Sequence, residues 1–134
     1  MAAPAELLKR VRLFEGLERR ELDQIAATMK ERRFGAGQTV TEEGAGGVGF
    51  FVIGEGEAEV QTHGEHRRDL GPGDHFGEVA LVAGTDRTAT IRAKTDLTCY
   101  GMTPWEFRPL VENNGRIAWK LLEQMGRILR ETGH

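Results

Sequence analysis

Thirteen of the 18 glycines in this 134-residue chain fall between Gly35 and Gly84, and that crowding constrains the fold more than any other feature. Glycine at such density fits disorder, a collagen-like repeat, or short strands joined by tight turns. No G-X-Y period runs through the stretch, and the apolar pairs Phe50–Phe51 and Val52–Ile53 interrupt it, so the first two fail. What remains is a β domain in which glycine takes the φ > 0 turn positions that other residues resist.

The pattern around that centre is helical on both sides. Leu7, Leu8, Val11 and Phe14 recur near a 3.6-residue period, Gly16 breaks it, and Leu22, Ile25, Ala26 and Met29 resume it, which predicts two short amphipathic helices within residues 1–33. From Phe34 the period becomes two. Strands are expected at Gln38 to Glu42, Gly49 to Ile53, Glu57 to Thr62, His66 to Leu70, Thr88 to Lys94 and Leu97 to Met102, each bounded by Gly, Pro or Asp. Short strands at such spacing form a sandwich or barrel, a jelly roll being one closed solution. Thr103-Pro104-Trp105-Glu106 is a capping box with proline at the first helical position, so a helix starts there and ends at Asn113-Asn114-Gly115. A last helix carries Ile117, Leu121, Leu122, Met125, Ile128 and Leu129 on one face, as core packing, a dimer seam or a ligand lid, with Arg116, Lys120, Glu123, Arg127 and Glu131 opposite.

Charge and cysteine usage narrow the function. Between Phe34 and Pro104 there are 5 basic and 11 acidic residues, whereas a general nucleic-acid surface needs a basic stripe. An anion bound here must be held by one or two placed cations. Cys99, the one cysteine, forms no internal disulfide. There is no signal peptide, lipidation motif or apolar run near the roughly 20 residues that span a bilayer. A reducing cytoplasm is the expected setting.

Several motifs fail on inspection. Gly44-Ala45-Gly46-Gly47-Val48-Gly49 fits G-x-G-x-x-G, but the dinucleotide fingerprint needs a helix next, and Phe50-Phe51-Val52-Ile53 reads as a strand. The histidines His63, His66, His75 and His134 include no H-x-H pair, and His75 with Glu78 is a poor metal-binding substitute. Nothing resembles a nucleophile elbow.

The informative segment runs from Leu70 to Ala93. A strand ends in Gly71-Pro72-Gly73, Phe76-Gly77-Glu78 leads into a short apolar helical turn over Val79 to Val82, and after Gly84 the residues Asp86-Arg87-Thr88-Ala89 open the next strand. The first turn of a short helix offers free N–H groups to an anion, and a nearby arginine adds a charge-assisted pair. A carboxylate beside such a site makes sense when the ligand also donates a hydroxyl. Phosphate and hydroxyl together describe a ribose phosphate.

Phe76-Gly77-Glu78, Ala80-Leu81 and Arg87-Thr88-Ala89 resemble the phosphate-binding cassette of the cyclic nucleotide-binding domain family. Leu13 to Leu17, the glycine-bounded strands of Gly44 to Gly56 and the Leu70 to Asp74 turn extend the likeness over about Leu13 to Arg130. The resemblance implies a mainly β fold with flanking helices. The expected form is an antiparallel jelly-roll β-roll (34–102) with N-terminal helices (1–33) and two C-terminal helices (103–132), in one domain. It implies that Arg87 pairs with the cyclic phosphate of cAMP or cGMP, that Glu78 accepts from the ribose 2′-OH, and that the Thr88 hydroxyl meets the phosphate. By the same resemblance Gly77, Ala80 and Ala89 would supply backbone contacts, with Phe76 and Val79 in the same ligand-binding set. The resemblance also implies that the base is covered from the last helix, where Leu122, Met125, Arg127, Ile128, Leu129 and Arg130 are candidates.

The chain departs from its relatives at Ala45-Gly46-Gly47, where an acidic residue is frequent, and it ends a few residues after the last helix, without room for a DNA-reading module. The expectation is a non-enzymatic, stand-alone sensor. Its ligand is a cyclic nucleotide, with no cofactor or metal, no membrane and no nucleic acid bound by this chain, and its downstream protein partner is unknown. The alternative is a nucleotide-free interaction module that forms a homodimer through the C-terminal helix.

Overall fold

The computed structural model describes residues 4–41, 49–77 and 89–131. Its helical beginning comprises α1 (Ala5–Leu8), one 3-10 turn at Arg12–Phe14 and α2 (Arg19–Thr28). The first helix is shorter than the sequence period predicts. Leu8 and Leu13 would lie roughly 140° apart on an ideal helix, yet both are buried, and an extended Val11 followed by the 3-10 turn lets both reach the core. A capping box starts α2: the Glu18 N–H donates to Glu21 Oε1 at 2.8 Å, and the Glu18 side chain accepts from the Glu21 backbone.

The helical segment stops short of Arg33. A strand, β1 (Lys30–Phe34), follows Met29 directly and pairs antiparallel with β8 (Leu97–Met102), Lys30 opposite Gly101 and Phe34 opposite Leu97. Lys30-Glu31-Arg32-Arg33 shows no apolar alternation because β1 is an edge strand, where charge discourages pairing with another chain. The other strands are β2 (Thr39–Thr41), β3 (Phe50–Glu55), β4 (Ala58–Thr62), β5 (Glu65–Leu70), β6 (His75–Phe76) and β7 (Thr90–Ala93). Two antiparallel four-stranded sheets result, in the orders β1-β8-β3-β6 and β2-β7-β4-β5. This is the expected β-roll with flanking helices.

Two apolar clusters hold it together. Ile53, Ala58, Val60, Leu70, Ile91, Ala93, Leu97 and Cys99 fill the interior of the roll. Phe50, Val52 and Met102 instead join the helices through Leu8, Phe14, Ile25 and Ile117. Strand β3 is therefore buried on both faces, Phe50 and Val52 toward the helices and Phe51 and Ile53 toward the roll. That explains its unbroken apolar run, and the strand following Gly49 rules out the dinucleotide reading of the glycine motif, whose residues 44–48 lie outside the described ones.

After β8 come α3 (Pro104–Glu112) and α4 (Gly115–Glu131). The Thr103–Glu106 capping box and Pro104 at the helix start are both present. The adjacent asparagines divide the turn between them. Asn113 closes α3, with its Nδ2 donating to Pro109 O at 2.8 Å, and Asn114 opens α4, with its Oδ1 accepting from the Ile117 N–H at 3.1 Å.

Candidate functional site

The cassette lies between β6, the edge of the first sheet, and β7, an inner strand of the second. Its leading end is firmly placed. Phe76 is buried and stacks on Phe51 with ring centroids 5.3 Å apart, and His75 leans on Phe50 at 5.7 Å. Phe51 and Val52 of β3 pair with Phe76 and His75. Gly77 follows with φ +86°, a left-handed conformation that a side chain would strain. At the trailing end Ala89, partly buried against the roll, leads into β7. Glu78, Val79, Ala80, Arg87 and Thr88 lie outside the described residues.

The base-cap candidates do not share one face of α4. Ile117 and Leu121 are buried together with Gln124, and Ile128 is partly buried on the same side. Leu122, Met125 and Leu129 are 58%, 37% and 54% exposed, in line with Trp119 at 62%, while Arg127 and Arg130 are exposed. The expected single apolar face is thus two: the apolar arc of α4 is wider than the surface on which it docks. Docking is fixed near both helix ends. Arg116 contacts Glu18 Oε1 at 3.3 Å and the buried Glu21 at 3.0 Å, and Arg12 pairs with Glu131. Between them the Gln124 Oε1 is buried without a hydrogen-bond partner among the described residues.

A second polar cluster was hidden from sequence reading because strand register assembles it. Glu59 of β4 faces Asp69 of β5, and His66 lies between them, Nδ1 2.8 Å from Glu59 and Nε2 3.6 Å from Asp69. Like charges opposed across strands repel; here His66, Gln61 on Glu59, and Lys94 at 3.0 Å from Asp69 offset them. The hydrogen bond from His66 holds the Glu59 carboxyl below its ordinary range. One ligand atom from each of the three side chains lies within 4.8 Å of the other two, and the contacts that join them run through the imidazole ring. The cluster is a hydrogen-bonded network on the outer face of the hairpin. Cys99 is of another kind: burial alone pushes its thiol up to about 12. Among the described residues no helix is long and apolar enough to cross a membrane.

Comparison with known proteins converges on this architecture. Residues 31–114 match the family model described as the cyclic nucleotide-binding domain. The N-terminal domain of a transcriptional regulator from Streptomyces coelicolor A3(2) superposes with a TM-score of 0.90 at 26% identity, over 95% of this chain and 94% of that one. The catabolite activator protein of Thermus thermophilus gives 0.75 at 27% identity, over 90% of this chain and 59% of its own. The cAMP-bound PfPKA-R fragment 141–441 gives 0.72 at 25% identity, over 96% and 46%. The chain thus spans about half the length of the last two.

Proposed function

The chain belongs to the cyclic nucleotide-binding domain family, and from that membership we propose that it is a regulatory module that binds cAMP, with cGMP the second candidate, and leaves it chemically unchanged. Arg87 pairs with the cyclic phosphate, the Thr88 hydroxyl and the backbone at Gly77, Ala80 and Ala89 donate or approach alongside it, and Glu78 accepts from the ribose 2′-OH. The observation that supports this reading is Gly77: directly after the paired strand β6 the backbone takes φ +86°. Backbone N–H groups that follow such a turn are well suited to an anion. The exposed side of α4, through Leu122, Met125 or Leu129, then covers the base.

Isothermal calorimetry of the purified protein with cAMP and cGMP tests this. Saturable binding is expected, and Arg87→Leu should weaken it by about 1.5–3 kcal/mol, the range of a hydrogen bond to a charged group. No heat with either nucleotide at high micromolar concentration, or equal binding by the variant, overturns the reading. One observation favours a second reading, a nucleotide-free interaction module: the exposed row Trp119, Leu122, Met125 and Leu129 offers a seam for a second copy.

A further inference from the structure

The cations of the N-terminal helices are nearly all spent on carboxylates. Lys9 pairs with Glu6, Arg12 with Glu131, Arg19 with Glu6 and Asp23, and Arg20 with Glu18. Arg10 is the exception. Among the described residues it makes no ion pair, and its Nη1 donates instead to the backbone carbonyl of Pro72 at 3.3 Å, 62 positions along the chain.

Its stem does more than reach. Gly73 has φ +91° and is buried; a Cβ built on it would stand 2.7 Å from Arg10 Cδ and 2.6 Å from Nη1, so the arginine lies flat against the glycine backbone. Among the described residues the turn it covers is also tied to β3 and to itself. The Gly73 N–H donates to Ile53 O at 2.9 Å, the Ile53 N–H to Asp74 O at 2.8 Å, and the Gly71 N–H to Asp74 Oδ2 at 2.8 Å. Asp74 runs straight into β6 and so to Gly77.

We propose that Arg10 is a positioning residue for the ligand site: it straps the Gly71–Asp74 turn to the N-terminal helices and so sets where β6 delivers Gly77. The inference rests on the nucleotide-binding reading above. It makes the segment around Arg10 an input to that site. By reciprocity of coupled equilibria, whatever displaces Arg10 weakens nucleotide binding, and nucleotide binding steadies Arg10.

Arg10→Met keeps an aliphatic stem on Gly73 and removes the donor, while Arg10→Lys restores a donor. Calorimetry with cAMP on the full chain, alongside the thermal midpoint without nucleotide and amide exchange over residues 8–14 with and without it, separates the outcomes. Expected is affinity about 3- to 10-fold weaker for the Met variant, the range that the net contribution of one typical hydrogen bond supports. The Lys variant should stay within about twofold of the parent, the thermal midpoints should agree, and nucleotide-induced protection over residues 8–14 should be lost in the Met variant. Equal affinity of parent and Met variant overturns the inference and leaves nucleotide binding standing, and so does a weakening that tracks a lowered thermal midpoint. A parent that does not bind removes the premise itself, and the inference with it.

Discussion

Cys99 shows how far burial alone determines a residue's chemistry. It lies on β8 facing the interior of the roll, fully buried, and its thiol is raised from 9.0 to about 12 because the thiolate would lose its hydration. Since the thiolate is the reactive form, a maleimide or iodoacetamide at about pH 8 should leave the folded protein unlabelled, and labelling in urea should follow the unfolding curve. The sign of the pH effect follows: a folded pKa above the unfolded one favours folding below pH 9 and loses that contribution as pH rises toward 12. Mass spectrometry of the labelled protein reads it directly; rapid native labelling would contradict the burial. In sequence Cys99 already reads as a small apolar residue inside a strand. Gly77 is legible in the same way, because its neighbours narrow its role, whereas Gly73 looks like an ordinary turn glycine until Arg10 is found lying on it.

Among elements, the β4–β5 hairpin makes the clearest prediction. Glu59 is held below its ordinary carboxylate value of 4.5, chiefly by the hydrogen bond from His66. A depressed folded pKa adds stability above the unfolded value and loses it as pH falls through the folded one. His66→Gln should therefore lower the urea midpoint above about pH 5 and converge with the parent in stronger acid. Midpoints that differ by the same amount from about pH 6 down to pH 3 would place the effect elsewhere. The hairpin was legible as two strands, but its network was not, because only the register sets Glu59 opposite Asp69. Helix starts fared better. Thr103 and Glu106 write their own capping box, and the Thr103 N–H holds the Glu106 carboxyl low. Strands β1 and β6 escaped for opposite reasons: an edge strand built of charges has no alternation, and a two-residue strand has no period.

For the molecule as a whole, the decisive question is what α4 does with an apolar arc only half covered. Ile117 is fully buried, so Ile117→Ala should cost about 2–5 kcal/mol in denaturant unfolding. Leu122→Glu with Leu129→Glu alters exposed positions and should stay within about 0.5 kcal/mol per site in the monomer. Sedimentation of that double variant beside the parent, with and without cAMP, then assigns the exposed face. A parent dimer that the glutamates dissolve, indifferent to nucleotide, favours the interaction module; nucleotide binding lost from an unchanged monomer favours the lid. Sequence periodicity disclosed the total apolar width of α4, but how much of it the body covers depends on where Arg12, Glu18 and Glu21 anchor the helix. The Arg12–Glu131 pair has one more consequence. It joins the 3-10 turn near one end of the described chain to the last turn of α4 near the other, so the fold leaves off close to where it begins. Units built that way are tolerant of insertion into a host loop, and a fluorescent protein opened at one surface loop could carry this one between its halves as a readout of ligand.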